Sequence, residues 1–312
     1  NLRFSNVIAD LMLPQRALLG GWAMGIPALY LLISSVREKS YRQTALLALW
    51  AAALPLVHTH TFLALALFSG GYLLGSLIEH REDRCGILLR AGLYLAVVLA
   101  LALPQLVGNA VRQTLEGGAL RFQFNWVNNS GGRGFKDGYF WFWVKNAGLP
   151  FILTVCACLC ARKRGNLDIV LGMTAIYVVA ETILFQPNEY DNNTLLYIWF
   201  MFAMILAADY GSMLMQRLAG LPGRALLCGL FLWASMFSGA LSLGREAVSG
   251  YQLFSANAVA AGDWIRENTD RDDVFLTGQQ HINPVCSLAG RQIICGSDLY
   301  VFFHGLDYSQ QS

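Results

Sequence analysis

The stretch HTHTFLALALFSGGYLLGSLIEHREDR, His58 to Arg84, decides the fold. Phe62 to Ile78 carries no charge, with histidines before it and Arg81 and Arg84 after it. An apolar run of this length reaches across a hydrocarbon layer of about 30 Å only as a helix, because lipid offers the backbone of an isolated span no hydrogen-bond partner but itself. Residues 61–79 are therefore predicted to be a transmembrane helix.

Seven further runs read the same way, at about 17–35, 43–57, 86–107, 143–161, 167–185, 194–214 and 224–243. The shorter ones rely on snorkelling flanks or local thinning of the bilayer. Their connections sort by charge. Arg37, Lys39 and Arg42, then Arg81 and Arg84, then Arg162, Lys163 and Arg164, then Arg217 and Arg224 occupy alternating turns. The positive-inside rule makes those turns cytoplasmic. The start of the chain, the turn 58–60, the loop 108–142, the turn 186–193 and the tail from about 244 then face outward.

Composition agrees. Hydrophobic residues make up 55% and charged residues 13% of the 312 residues, with a mean hydropathy of +0.45, too apolar for a soluble domain. A net charge of +2, spread in short clusters between apolar runs, argues against nucleic acid as a partner. The expected fold is mainly α, a polytopic bundle of about eight spans over 1–243, followed by the start of a small extracytoplasmic α/β domain over 244–312. In that tail Ala256 to Asn268 has helix-like composition, and Asp272 to Thr277 and Arg291 to Cys295 read as short strands. The setting is the plasma membrane if the source is bacterial and the endoplasmic reticulum if it is eukaryotic. Asn1 in place of Met, and a start without the basic lead and apolar core of a signal peptide, suggest a fragment. Tyr308 to Ser312 closes no recognisable element, so truncation is expected there too.

Five of the seven cysteines lie in or beside apolar runs and read as small hydrophobes without zinc-type spacing. Cys286 and Cys295 lie in the polar tail, where an oxidising compartment would let them pair.

The polar groups of the outward face are the candidates for chemistry. His58 and His60, two residues apart, face one ligand together only where the backbone turns. They read as binders of a phosphate or a sugar hydroxyl, or as a structural polar turn, and no third or fourth metal ligand stands nearby. Arg16 follows Pro14 at the start of a span, where its charge opposes the helix dipole. Either a phosphate partner or a snorkel to lipid headgroups accounts for it. The loop 108–142 holds Arg133 and Lys136 among amides and aromatics. That mix suits carbohydrate stacking and phosphate contact, while Tyr139 to Trp143 also reads as an interfacial aromatic belt.

Gln186 to Asn193 brings Glu189 and Asp191 to the outer ends of two spans. A carboxylate there can act as a base, hold a divalent cation or cap the next helix. Glu181, one turn inside the same helix end, is costly in lipid and should face the bundle or a cavity, or make a structural hydrogen bond to a neighbouring helix. Asn128-Asn-Ser130 and Asn192-Asn-Thr194 fit the glycosylation sequon, a pattern common by chance. Arg291 and His304 stand in Gly-rich segments of the tail that read either as a lid over the membrane face or as domain turns.

Taken together, the Leu-Pro-Gln-Arg16 start, the Pro55-Leu-Val-His-Thr-His60 turn, the Gln186-Pro-Asn-Glu-Tyr-Asp-Asn-Asn193 turn, and Leu-Ala-Gly-Arg291 and His-Gly-Leu-Asp-Tyr308 in the tail resemble the multi-spanning GT-C class of glycosyltransferases that use polyprenyl-phosphate sugars. The resemblance implies transfer of a sugar from a lipid-linked donor to an acceptor outside the membrane. Arg16, His58, His60, Arg133, Lys136, Arg291 and His304 would then contact substrate. It also implies an essential acidic residue in a first outward loop upstream of Asn1, with Glu189 and Asp191 as the catalytic candidates within the chain. A transporter or lipid-handling protein is the alternative, although no repeat with midplane polar groups stands out. A non-catalytic membrane subunit is a third reading.

Overall fold

The computed structural model describes residues 6–111, 120–129, 137–185, 192–294 and 296–299. They are mainly helical. Helix α1 is Arg16–Arg37, α2 Tyr41–Ala53, α3 Thr59–Glu79 and α4 Arg84–Gln105. After the loop come α5 (Tyr139–Ala147), α6 (Leu149–Leu159), α7 (Leu167–Thr182), α8 (Asn193–Arg217) and α9 (Arg224–Val248).

Seven of the eight expected spans fall on one helix each and 143–161 on two, but among the described residues five helices, α1, α3, α4, α8 and α9, are long and apolar enough to cross a membrane. The others differ for local reasons. Helix α2 stops after 13 residues, about 20 Å of rise, because the chain tightens at Leu54–Leu56 around Pro55. Helix α7 stops after 16 residues, about 24 Å, because Ile183 turns extended. The run 143–161 is not one rod. Gly148, at φ +66°, separates α5 from α6 at a bend of 118°, and the pair makes a sixth span if counted together.

The bundle is held by close approach at small residues. Helices α3 and α7 run antiparallel and touch backbone to backbone. A Cβ on Gly71 would lie 2.3 Å from the Leu171 carbonyl oxygen, and one on Gly75 would lie 2.3 Å from the Asp168 Cα. The sequence Gly71-Tyr-Leu-Leu-Gly75 is thus a small-xxx-small seam, a signal legible in the sequence itself. Helix α1 runs parallel to α3 through a second such pair: a Cβ on Gly21 would meet His58 Cβ at 2.8 Å, and one on Gly25 the Thr61 methyl at 2.9 Å. Thr154 of α6 donates to the Ala203 carbonyl of α8, at 2.9 Å. Around these seams Phe68, Tyr72, Ile176, Leu32 and Phe202 form the buried core. Phe68 stacks on Phe202 with ring centroids 4.6 Å apart.

The outer surfaces of α2 and α4 carry exposed Leu46, Leu49, Leu88, Leu95, Leu99 and Leu103, and no residue of α9 is buried. That much bare apolar surface suits a hydrocarbon surround. The helix directions bring Arg37, Arg81 and Arg162 to one end, hereafter the basic end. Arg90, buried in α4, bonds Asp83 at 2.6 Å. Arg164 holds Asp209 of α8 at 2.5 Å. The other end is rich in rings and amides.

In the tail, α10 spans Ala256–Asn268, started by Ser255, whose hydroxyl accepts from the Ala258 amide. Val274–Phe275 (β3) pairs in parallel with Gln292–Ile293 (β4), with the one-turn helix α11, Pro284–Ser287, between them. Cys286 is a free, exposed thiol, and its expected partner Cys295 lies outside the described residues.

Candidate functional site

The site is built on the last turn of α7. Four carbonyls at a helix C-terminus have no partner within the helix. Here a segment of the long loop supplies them. Arg121–Phe122 (β1) pairs antiparallel with Ile183–Leu184 (β2). The Gln123 amide bonds the Thr182 carbonyl at 2.8 Å, the Asn125 amide bonds that of Glu181 at 3.1 Å, and the Trp126 indole bonds that of Ala180 at 2.8 Å. Asn125 takes a left-handed conformation, φ +56°, to make the turn. Residues 120–129 are thereby laid over the helix end.

Beneath that segment lies Glu181, 1% exposed. The Tyr139 hydroxyl and the Trp143 indole flank its carboxyl, yet neither oxygen is held by a hydrogen bond of ordinary length and angle. Among the described residues no cation pairs with it. Tyr177, one turn earlier, shares a hydrogen bond with the Tyr139 hydroxyl. Its ring packs on Trp199 of α8 at 4.6 Å, and Trp143 meets both rings edge-on at 5.7 and 5.5 Å. A buried carboxylate in an aromatic box is a costly arrangement. Tyr177 and Glu181 are four apart, so their shared helix face was legible; Tyr139, Trp126 and Asn125 reach them only through the fold.

The aromatic run therefore divides. Phe140 and Trp141 stay exposed, as a belt requires, whereas Phe142 and Trp143 are buried at 1% and 0%. Both sequon asparagines are occupied. Asn128 is buried and donates to the Asp137 carbonyl at 2.9 Å, and Asn192 accepts from the Phe185 amide at 2.6 Å, so neither side chain is presented for a glycan.

Beside the box, His58 caps α3. Its Nδ1 accepts from the Thr61 amide at 3.3 Å and lies 2.8 Å from the Thr61 hydroxyl, which assigns the ring proton to Nε2. Burial, and then the His60 ring 5.6 Å away, lowers the His58 pKa to about 4, so the ring is neutral near pH 7. Arg16 is exposed at the first residue of α1, whose Gly21 abuts His58. Tyr197 of α8 packs on Leu18 of α1, which joins this corner to Trp199 and the box.

Directly below Thr61 an apolar crevice opens between three helices. Trp22, Ile26 and Leu29 of α1, Leu65 of α3, and Met201 and Phe202 of α8 line it. It follows the helices for about two turns, on the order of 10 Å. Its volume is about 20 Å³, and Thr61, the hydrogen-bond partner of His58, lines it.

The other expected site residues fall elsewhere. Arg133, Lys136, Glu189, Asp191 and His304 lie outside the described residues. Arg291 is engaged within the tail, donating to the Thr269 hydroxyl and to the carbonyls of Thr269, Arg266 and Ala289 at 2.8 to 3.0 Å. These bonds tie β4 to α10, and the fork is filled by them. Among the described residues no three His, Cys, Asp or Glu side chains gather as a metal site would need. Comparisons with protein families, with characterised proteins and with solved structures gave no match.

Proposed function

We propose that this chain is a membrane glycosyltransferase of the GT-C type, moving a sugar from a polyprenyl-phosphate donor to an acceptor at the extracytoplasmic side. The observation that carries the reading is the apolar crevice at Thr61, beside the His58 cap, with the buried carboxylate of Glu181 on the adjoining helix α7. The crevice encloses only about 20 Å³, so a prenyl chain would lie along its apolar mouth from the bilayer side and not within it. Arg16 suits the phosphate, to which guanidinium gives forked, charge-assisted bonds. Neutral His58 can donate from Nε2 to a phosphate or hydroxyl oxygen.

In this reading the topology has eight crossings, counting short α2 and α7 and the bent α5–α6 pair, with the basic turns cytoplasmic and the tail an extracytoplasmic α/β domain. A phosphate is already a good leaving group. The enzyme then needs positioning, charge stabilisation and one base, for which Glu189 and Asp191 are the candidates beyond β2. Glu181 lies with the Tyr139–Tyr177 pair beneath residues 120–129, in the floor under that turn.

The crevice alone also suits a lipid-handling protein that transfers nothing. Full-length protein in membranes, supplied with radiolabelled polyprenyl-phosphate sugars, separates the two readings. Transfer, lost in Arg16→Ala, is expected. Donor binding without turnover favours lipid handling, and no turnover together with unchanged donor binding in Arg16→Ala sinks the enzyme reading.

A further inference from the structure

The opposite end of the bundle holds a second site that the glycosyltransferase reading does not use. Between the ends of α1, α3 and α7 lies a cavity of roughly 630 Å³. Ligand pockets commonly measure about 300 to 1,000 Å³. Three arginines, Arg37, Arg81 and Arg162, line it together with His80, Glu79 and Asp168. We propose that this cavity binds the phosphate headgroup of an anionic phospholipid.

The two carboxylates are already committed. Glu79 accepts from the Leu167 amide at 3.2 Å and Asp168 from the Ile169 amide at 2.7 Å, so both serve the exposed N–H groups at the start of α7. His80 faces Glu82, at 3.7 Å. The arginines hold no carboxylate at ion-pair distance among the described residues, Arg37 acting on Asp168 only from further off. Whereas Arg90 and Arg164 at this end each hold an aspartate, none of Arg37, Arg81 and Arg162 makes an ion pair among the described residues. Three guanidinium groups against two carboxylates leave one net positive charge, which a single phosphodiester neutralises.

Depth selects a lipid over a soluble anion. Arg37 and Glu79 stand in the last turns of two spans, and Ile78 and Leu167 give the cavity apolar wall at the same level. A headgroup held there keeps its acyl chains against the exposed flanks of the helices. Basic pockets between span ends on the cytoplasmic side recognise anionic headgroups in this manner. The inference is independent of the proposed reaction.

The test uses the full chain purified in detergent, with dioleoyl phosphatidylglycerol and phosphatidylcholine offered as probes and bound lipid counted by native mass spectrometry. Phosphatidylglycerol should be retained in preference to phosphatidylcholine. Each of Arg37→Gln, Arg81→Gln and Arg162→Gln should weaken it by about fivefold, from the usual contribution of a basic residue near an anionic surface. Arg42→Gln, in the same basic turn but not lining the cavity, should leave it unchanged. Unchanged unfolding midpoints show that the variants fold, and replacement of the three arginines by lysine should restore part of the retention. Equal retention by parent and the triple glutamine variant overturns the proposal. So does full displacement of the lipid by millimolar glycerol 3-phosphate, because the site would then belong to a soluble phosphate.

Discussion

Helix α7 carries a buried carboxylate at each end, and the two are treated differently. At the basic end Asp168, 3% exposed, accepts from the Ile169 amide and lies near both Glu79 and Arg37. At the aromatic end Glu181, 1% exposed, sits among Tyr139, Trp143 and Tyr177 with no cation among the described residues and no well-formed hydrogen bond. A carboxylate in a bundle is tolerated where a donor is built to it. Asp168 is therefore explained by architecture. Glu181 is not, and such sites are where function is found.

Both ends depend on the seam that aligns them, so the largest effect is expected there. Gly75→Ala drives a Cβ into the Asp168 backbone, which cannot yield without parting α3 from α7. The expected loss is about 3 kcal/mol or more, the upper range for overpacking. Gly70→Ala and Gly92→Ala, whose Cβ positions are open, should leave the protein unaltered or slightly more stable. Thermal unfolding in detergent, followed by a monodispersity assay, reads all three; equal midpoints for Gly75→Ala and Gly70→Ala would dissolve the seam.

The next test addresses the carboxylates directly. Asp168→Ala removes the acceptor of the Ile169 amide and should lower stability by about 2 kcal/mol, the usual cost of leaving a buried donor unmet. Glu181→Gln removes a charge with no compensating cation among the described residues, so the unfolding midpoint should stay or rise. Opposite signs on one helix are the signature. A matching fall in both variants would mean that Glu181 is held as well as Asp168.

How far the sequence carried these arguments depends on the range of each interaction. Alternating basic turns are a local count, and Arg37, Arg81 and Arg162 meet at one end as that count requires. The helix Ala256–Asn268 has the expected ends because its Ser255 cap is a neighbour in sequence. The break at Gly148 was legible from Gly148-Leu-Pro150 but was hidden by the apolar run around it. The early end of α7 was not legible, since it follows from pairing of Ile183 with Phe122, 61 positions away. The aromatic box was half visible. Tyr177 and Glu181 share a helix face by spacing, but Tyr139 comes to them from a loop whose path no local rule gives.

The smallest effect concerns His58, the aromatic end's only described helix cap of the imidazole type. Its neutral Nδ1 accepts the Thr61 amide, and protonation would turn that acceptor into a donor and break the cap. The unfolded ring protonates near its ordinary 6.5, the folded ring only at about 4. The unfolded state therefore binds the proton first, and the stability this group contributes, full above about pH 6.5, declines as the pH falls through that window toward 4. His58→Asn keeps a capping acceptor that does not titrate, so its midpoint near pH 7 should fall by about 1 kcal/mol or less while its loss between pH 6.5 and 4 shrinks. His58→Ala loses the cap at every pH. A parent and a His58→Asn variant with identical acid profiles would show that the ring titrates alike folded and unfolded, and this corner would then change from a hydrogen-bond donor site to a positive charge as the pH falls through about 6.5.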